Sequence, residues 1–472
     1  MTYLAIDFGG GSGRVIAGTL TDGRLDMQQI HRFPNRQVRL GKHVYWDFPA
    51  LFQDMKEGLR KAAQLGLTVS SIGIDTWGVD YALIDKAGNL LGLPVCYRDE
   101  RTQGMQQKVF DIIDRKEHYE TTGIQVLDIN TLFQLFSMVD SKDPQLDVAD
   151  RLLFMPDLFS YFLTGVANVE YCIASTSELL DARRRDWSRE TITALGLPQH
   201  LFGDILPTGA IRGRLRPEIA RETGLGEVDV VCAGGHDTQC AIAATPLPDG
   251  RAAFLSSGTW SLLGVESDEP ILTEEARCAE LTHEGGVAHN YNILQNITGL
   301  WFLQRLMGEW EARGEAQAYD VILPAAEKAT IDTVIPVDDA AFQNPPCMED
   351  ALLGYCRDHG LTVPQTKAEM VRCILQSLAE KYRTAVEALN ALLPEPVTQL
   401  NIIGGGSQNE LLNRLTADAL QLPVVAGPVE ATAMGSILIQ AMAKGELKDL
   451  KEIRDVVARS CQTKRYEPTP RA

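Results

Sequence analysis

The chain of 472 residues contains no Cys-x-x-Cys pair, and its nine cysteines are scattered and odd in number. Structural zinc sites and disulfide frameworks depend on short, regular cysteine spacings or on even numbers of cysteines. The pattern therefore argues against both. Cys356 and Cys373 are candidates to meet, but we expect free, buried thiols.

Basic residues are scarce relative to acidic ones. Lys and Arg number 44 against 63 Asp and Glu, which gives a formal net charge of −19. Such a charge repels nucleic acid backbones and anionic lipid surfaces, so we expect neither nucleic acid nor membrane as a partner. A small phosphorylated ligand stays compatible, because a few oriented N–H groups and a cation can hold an anion locally.

Long apolar runs are also missing. No uncharged stretch reaches the roughly 20 residues that a membrane-spanning helix needs. The first residues run into Asp7 without a basic segment and a long apolar stretch, so no secretory signal is indicated. We therefore expect a soluble, cytoplasmic protein.

Several common catalytic signatures are absent. The glycine-rich residues 9–14 lack both the Lys of a Walker P-loop and the last glycine of a dinucleotide fingerprint. His283 and Glu284 are followed by Val287 where the zinc-protease spacing requires a second His. The Gly-x-Ser-x-Gly motif of a nucleophile elbow is not present either.

The sequence does contain one pattern twice. An apolar strand, a glycine-containing turn and a second strand are predicted over residues 3–20 and again over 252–265. Between them, the Thr-Pro-Leu-Pro-Asp-Gly segment at 245–250 is incompatible with a helix. We place a domain boundary there, with an N-terminal domain of residues 1–245 and a C-terminal domain of residues 246–472.

Amphipathic helices alternate with strands, which indicates the α/β class. Helices are predicted over residues 51–64, 369–392 and 410–420.

The first glycine turn has four glycines in residues 9–13. Consecutive backbone N–H groups can approach an anion there without interference from Cβ atoms. Asp7, at the end of the preceding strand, is suited to hold Mg²⁺ through water. An ordinary tight hairpin is the alternative interpretation.

Asp237 follows a mostly apolar strand and lies between His236 and Thr238. An ionised carboxylate at this place could orient an attacking hydroxyl and accept its proton. The alternative is that Asp237 or Thr238 caps a helix that begins at Gln239. The two roles are compatible.

Two further segments of this kind lie in the C-terminal half. The segment Ser-Ser-Gly-Thr-Trp-Ser at residues 256–261 is suited to contact a phosphate chain from the side opposite the first glycine turn. A plain β-turn is the alternative. Three glycines at 404–406 follow an apolar strand and permit a flat ring to lie against bare backbone.

Together, the segments at residues 7–14, 234–238, 256–260 and 404–409 resemble the FGGY carbohydrate kinases of the actin-like ATPase superfamily. The resemblance spans nearly the whole chain. It implies two ribonuclease-H-like α/β domains flanking a nucleotide cleft, a sugar-binding N-terminal domain and a nucleotide-binding C-terminal domain. Longer matching blocks lie at residues 73–80, 93–99, 155–165, 255–261 and 296–305.

The family's motifs imply roles for individual residues. Asp237 is the implied catalytic base, and Asp7 the implied holder of magnesium. The residues implied to line the sugar are Gly78, His236, Asp237, Thr238 and Asn296. The residues implied to contact ATP are Gly10, Gly11, Ser12, Gly13, Arg14, Thr259, Gln304 and Gly405. For Asn296, the cap of a helix at residues 299–307 is the alternative.

The resemblance further implies an activity. We expect transfer of phosphate from ATP, with Mg²⁺, to the 1-hydroxyl of a small ketose, L-rhamnulose, by a monomer or small homo-oligomer. L-Fuculose, another ketose or a polyol is the alternative, because specificity depends on one or two hydroxyl contacts. An actin-like ATPase without a metabolic substrate is the alternative of another class.

Overall fold

A computed structural model describes residues 1–248 and 251–470. The described chain forms two compact units. Unit 1 comprises Met1–Pro246, Glu266–Ile293 and Ala431–Cys461, and unit 2 comprises Leu247–Val265, Leu294–Glu430 and Gln462–Ala472. Both are α/β, as predicted. Asp249 and Gly250, within the segment where we placed the domain boundary, lie outside the described residues.

The strands are numbered in chain order. They are β1 Thr2–Phe8, β2 Ser12–Thr21, β3 Arg24–Pro34, β4 Gln37–Leu40, β5 His43–Trp46, β6 Val69–Thr76, β7 Tyr81–Asp85, β8 Ala149–Phe154, β9 Val169–Glu170, β10 Leu180–Asp181, β11 Asp186–Trp187, β12 Ile205–Leu206, β13 Ile211–Arg214, β14 Asp229–His236, β15 Ala252–Ser257, β16 Trp260–Ser267, β17 Thr282–Gly285, β18 Tyr291–Thr298, β19 Gln399–Ile403, β20 Val424–Ala426 and β21 Lys464–Tyr466.

The α-helices are numbered in the same way. They are α1 Phe48–Gln64, α2 Met105–Phe110, α3 Arg115–Thr122, α4 Thr131–Asp140, α5 Gln145–Val148, α6 Met155–Thr164, α7 Tyr171–Ser175, α8 Arg189–Ala194, α9 Pro217–Thr223, α10 Asp237–Ala243, α11 Glu274–Cys278, α12 Trp301–Ala312, α13 Tyr319–Lys328, α14 Met348–Asp358, α15 Lys367–Asn390, α16 Glu410–Leu420, α17 Ala431–Ala443 and α18 Leu450–Ser460. Short 3₁₀ turns lie at Glu100–Thr102, Gln199–Leu201, Ala340–Phe342 and Gly405–Gln408.

Unit 1 is built on a six-stranded mixed sheet in the order β13-β14-β6-β1-β2-β3. Strands β14, β6 and β1 are parallel neighbours, whereas β1, β2 and β3 form an antiparallel meander. The central strands are almost wholly buried. This agrees with their apolar composition, because a sheet covered on both faces needs apolar residues on both.

Unit 2 repeats part of this arrangement. β15 pairs with β16 in an antiparallel hairpin and with β19 in parallel, and β20 and β21 continue the sheet. The two predicted hairpins are therefore confirmed, as β1–β2 and β15–β16.

The predicted helices are present, with ends set by their caps. The helix predicted over 51–64 begins at Phe48, because the Asp47 side chain accepts a hydrogen bond from the N–H of Ala50. The helix predicted over 369–392 is α15, which a capping box of Thr366 and Glu369 starts. The helix predicted over 410–420 is observed with those bounds.

Helix α17 of unit 1 ties the sheet to α10. The amide of Gln440 donates to the carbonyl of Leu4 on β1 at 3.1 Å and accepts from the hydroxyl of Ser71 on β6 at 2.8 Å. Gly435 lies directly against α10, where an added Cβ would overlap the backbone carbonyl of Cys240. The position of α10, and of Asp237 at its start, therefore depends on residue 435 being a glycine.

All nine cysteines lie in the described residues and are free thiols, six of them buried. The expectation of free thiols is therefore confirmed. Within the two described ranges, no helix combines the length and apolar character needed to cross a membrane.

We expect Gly435→Ala to destabilise unit 1 by about 1–3 kcal/mol, because the new methyl group meets backbone that cannot rotate away. At about 2–4 °C per kcal/mol, the melting temperature should fall by several degrees. The matched control is Gly308→Ala on α12, where an added Cβ meets nothing within 4 Å. That change should leave stability unchanged or raise it. Equal melting temperatures for the two variants would contradict the packing argument.

Candidate active site

Three aspartates collect at one end of the unit 1 sheet. Asp7 on β1 is the register partner of Asp75 on β6, and Asp75 is in turn aligned with Gly235 on β14. Asp237 begins α10 directly after β14. Because these strands are parallel, their carboxyl ends meet at the same edge, which is where ligands bind in many α/β sheets.

The glycine turn after β1 is open at its tip. A Cβ added at Gly10 or Gly11 would meet nothing within 4 Å, whereas one at Gly13 would overlap the ring of Phe33. Asn35 fixes the turn by donating from its side chain to the carbonyl of Gly9 at 2.9 Å. The tip therefore presents bare backbone, while Gly13 is required by packing.

Arg14 faces the aspartates from β2. Its guanidinium donates to Oδ2 of Asp7 at 2.5 Å, and the two residues are register partners in the hairpin. This places a cation beside the first carboxylate, and the pair is part-buried.

Asp237 is held at the first turn of α10. Its Oδ1 accepts a hydrogen bond from the N–H of Thr238 at 2.7 Å. His236 occupies the N-cap position of α10. The alternative that Asp237 or Thr238 caps this helix was therefore wrong, by one residue for Asp237 and by two for Thr238. Burial raises the pKa of Asp237 to about 6, with His236 acting in the opposite direction and the charge of Asp7 adding to the rise.

Asp75 is the most isolated of the three carboxyl groups. It is fully buried, and neither oxygen has a hydrogen-bond partner among the described residues. Burial, followed by the charges of Asp7 and Asp237, raises its pKa well above the usual range. The analysis of the sequence did not assign Asp75 a role, although it lies within the matching block at residues 73–80.

His236 connects Asp237 to a buried polar network. Its Nε2 lies 3.4 Å from Oδ1 of Asp237, and its Nδ1 lies 3.0 Å from Oε2 of Glu284 on β17. Gln239 donates to the same Glu284 oxygen at 2.6 Å. Sequence analysis considered Glu284 only as part of an incomplete zinc-protease motif and assigned it no role here, because it lies 48 residues from His236.

Gly78 lies beside Nε2 of His236, on the side of the ring away from Glu284. A Cβ added there would be 3.4 Å from Nε2 of His236 and 3.5 Å from the hydroxyl of Thr176. The structure therefore brings together Gly78, His236, Asp237 and Thr238 and adds Thr176, which the sequence did not single out.

Asp80 fixes the loop that follows Gly78. Its carboxylate accepts hydrogen bonds from the indoles of Trp46 at 2.6 Å and Trp77 at 3.0 Å, and from the amide of Gln134 at 3.0 Å. Burial raises the pKa of Asp80 to about 6 despite these donors. A buried carboxylate satisfied in this way holds the loop rigidly.

The remaining predicted residues belong to unit 2. Thr259 and Gln304 lie together, with the Thr259 hydroxyl 3.4 Å from Oε1 of Gln304. Asn296 lies in β18, while α12 begins at Trp301 after the N-cap residue Leu300. The alternative that Asn296 caps this helix was therefore wrong.

The triple glycine packs against the second hairpin. A Cβ at Gly406 would overlap the hydroxyl of Ser257, whereas one at Gly405 would meet nothing within 4 Å. Of the two, only Gly405 offers open backbone to a ligand, at the 3₁₀ turn that begins there.

The carboxylates of unit 1 have the chemistry that Mg²⁺ prefers, since it binds through one or two carboxylates and keeps several waters or phosphate oxygens. No three His, Cys, Asp or Glu side chains in the described part of the chain are arranged as a complete metal site. A cation beside Asp7 would accordingly take further ligands from substrate phosphate and water.

Comparison with known protein families agrees with this arrangement. The N-terminal domain of the FGGY family of carbohydrate kinases matches residues 2–244, and the C-terminal domain of that family matches residues 253–444. The chain belongs to the FGGY family of carbohydrate kinases and is a sugar kinase.

Curated relatives match over nearly the whole chain. The rhamnulokinase of Bacteroides thetaiotaomicron is 45% identical over 99% of this chain and 96% of its own length. The rhamnulokinase of Pectobacterium atrosepticum is 42% identical over 99% of this chain and 93% of its own.

Solved structures share the fold at low identity. Ligand-bound xylulose kinase from Lactobacillus acidophilus has a TM-score of 0.81 at 15% identity, covering 99% of this chain and 94% of that one. Plasmodium falciparum glycerol kinase with ADP has a TM-score of 0.79 at 14% identity, with the same coverage.

Proposed function

We propose that this sugar kinase transfers the terminal phosphate of ATP to the 1-hydroxyl of L-rhamnulose, giving L-rhamnulose 1-phosphate and ADP in the breakdown of L-rhamnose. The observation that carries the proposal is the 45% identity to a rhamnulokinase across 99% of the chain. The aspartate at the end of β14 supplies the chemistry that this reaction needs.

Asp237 is the proposed base. Its carboxylate would accept a hydrogen bond from the 1-hydroxyl and take the proton as the bond to phosphorus forms. In phosphoryl transfer such a group mainly orients the nucleophile. A pKa of about 6 suits the role, because the group is ionised at neutral pH yet basic enough to accept a proton.

The sugar is proposed to contact Gly78, His236, Thr238 and Asn296. The first three surround Asp237 in unit 1, where Thr238 is buried against it and Nε2 of His236 lies near Gly78. Residues 1–245 are accordingly proposed as the sugar-binding domain and residues 246–472 as the nucleotide-binding domain.

The phosphates of ATP are proposed to lie against backbone from Gly10, Gly11, Ser12 and Gly13 and against Arg14 and Thr259. Gln304 and Gly405 belong to the nucleotide contacts. The open tip of the first turn and the open position of Gly405 support these assignments. Magnesium held beside Asp7 would neutralise charge on the phosphates.

We test the substrate by following ADP release with Mg²⁺ and ATP against L-rhamnulose, L-fuculose, L-xylulose, D-xylulose, L-ribulose and glycerol, with a control that lacks sugar. The highest kcat/KM is expected for L-rhamnulose, since a hydroxyl contact in a closed site discriminates strongly. Preference for another sugar would overturn the substrate but leave the kinase. Equal ADP release without sugar would point to an ATPase.

Asp237→Asn should lower kcat by about 10²–10⁴-fold, because the amide keeps the shape but cannot accept the proton. The N–H of Thr238 can still donate to the amide oxygen, so we expect the melting temperature and the ADP affinity measured by calorimetry to stay close to wild type. Wild-type turnover in a correctly folded variant would rule out Asp237 as the base.

The pH dependence of kcat/KM should show an acid limb near pH 6. Asp237 is protonated and inactive as a base below that pH, since its pKa is raised to about 6. Acid unfolding driven by protonation of Asp80 would not explain a loss of kcat/KM near pH 6. Its folded pKa, also about 6, lies above the unfolded value, so protonation of Asp80 stabilises the fold as the pH falls. Rates measured from pH 5 to 9, with recovery of activity after return to pH 7.5, check both points. A flat profile down to pH 5 would contradict the assignment.

A further inference from the structure

Glu284 lies at the centre of a buried hydrogen-bond chain that ends at Asp237. Asn292 donates to Oε1 of Gln239, Gln239 donates to Oε2 of Glu284 at 2.6 Å, and Nδ1 of His236 lies 3.0 Å from the same oxygen. Glu284, Gln239 and Asn292 are all buried. The inner part of the chain is therefore shielded from solvent, and exposure increases only at its end, at Asp237.

The direction of the hydrogen bonds follows from this order. Because Oε1 of Gln239 accepts from Asn292, its Nε2 must face Glu284 as a donor. Oε2 of Glu284 is then an acceptor, and Nδ1 of His236 carries the proton. Nε2 of His236 is left facing Asp237 at 3.4 Å and the space beside Gly78.

The strand that carries Glu284 is fixed independently of His236. The N–H of Gly285 donates to the hydroxyl of Ser175 on α7 at 2.8 Å, and the N–H of His283 donates to the carbonyl of Gly123 at 2.9 Å. The carboxylate is thus a fixed point against which the imidazole is oriented.

We propose that Glu284 is a positioning residue for the phosphoryl transfer, which holds the proton on Nδ1 of His236 and keeps Nε2 of that ring directed at Asp237 and at the acceptor hydroxyl of the sugar. The inference rests on the proposed function. Glu284 acts through His236 and does not itself touch the substrate.

The groups that face His236 come from several elements. Burial lowers the pKa of His236, but the charges of Glu284 on β17, Asp237 on α10 and Glu170 on β9 raise it, and the net direction is upward. The nearby thiols of Cys172 and Cys240 remain neutral, because burial raises the pKa of each. Loss of the charge at residue 284 therefore removes the first of the three acidic influences on the imidazole.

Glu284→Gln tests this directly, because it keeps the volume and an acceptor oxygen but removes the charge. We expect kcat to fall about 10-fold or more, the size found for residues that orient metal-bound histidines, with the KM for ATP unchanged. In ¹⁵N-histidine NMR spectra, assigned with His236→Asn, the pKa of His236 should fall measurably below that of the wild type.

Glu178→Gln is the matched control. Glu178 is also a buried glutamate that pairs with a histidine, His118 at 3.1 Å, and accepts from an amide, that of Asn130 at 2.7 Å. This variant should leave the pKa of His236 where it is in the wild type. A shift of equal size in both variants would mean a general loss of buried charge and would overturn the proposal.

Three further outcomes decide between the proposals. If Glu284→Gln fails to fold, the wild-type spectrum still tests the assignment, because a neutral His236 with its proton on Nε2 would overturn it. If the wild type phosphorylates no sugar, the proposed function fails. If the wild type is active and Glu284→Gln keeps its kcat and its His236 pKa, only the role of Glu284 fails.

Discussion

The parallel register of β1, β6 and β14 brings three carboxyl groups, Asp7, Asp75 and Asp237, to one end of a buried sheet. Removing carboxylates from water and placing them near one another both favour the neutral form. Among the groups that offset this are Arg14 beside Asp7 and His236 beside Asp237. The raised pKa of Asp237 follows from that balance.

The surroundings of Asp237 are arranged to keep that balance constant. Glu284 and Gly78 bracket His236, and Thr238 donates to Asp237 from within the same helix turn. Helix α17 holds α10 against the sheet through a backbone approach that admits only glycine at residue 435. A carboxylate whose pKa depends on partial burial and on neighbouring charges needs such rigid neighbours, since a change in either would shift that pKa.

The parts of this site that are visible in the sequence are those encoded by contiguous residues. The glycine turn at 9–13, the strand end before Asp237 and the hairpin at 256–261 each combine a strand pattern with a turn signal. The longer blocks of residues that resemble the FGGY carbohydrate kinases indicated the family, and the comparisons confirm it.

The parts not visible depend on contacts across the fold. Glu284 and Asp75 reach the site through the placement of strands that are far apart in the chain, and no local spacing marks such contacts. The alternative interpretation of Asn296 as an N-cap was wrong for a related reason. An Asn before a helix-like segment has the composition of a cap, but β18 continues through Thr298 because sheet pairing overrides the local preference.

Unit 1 is assembled from distant parts of the chain, since Ala431–Cys461 packs with Met1–Pro246. Leu4 on β1 and Ser71 on β6 lack their hydrogen-bond partner Gln440 until α17 has been synthesised. During synthesis from the N-terminus, most of the chain must therefore emerge from the ribosome before this unit can close. Until then the apolar face of the sheet that α17 covers stays exposed to solvent, as in other folding intermediates whose partners are distant in sequence.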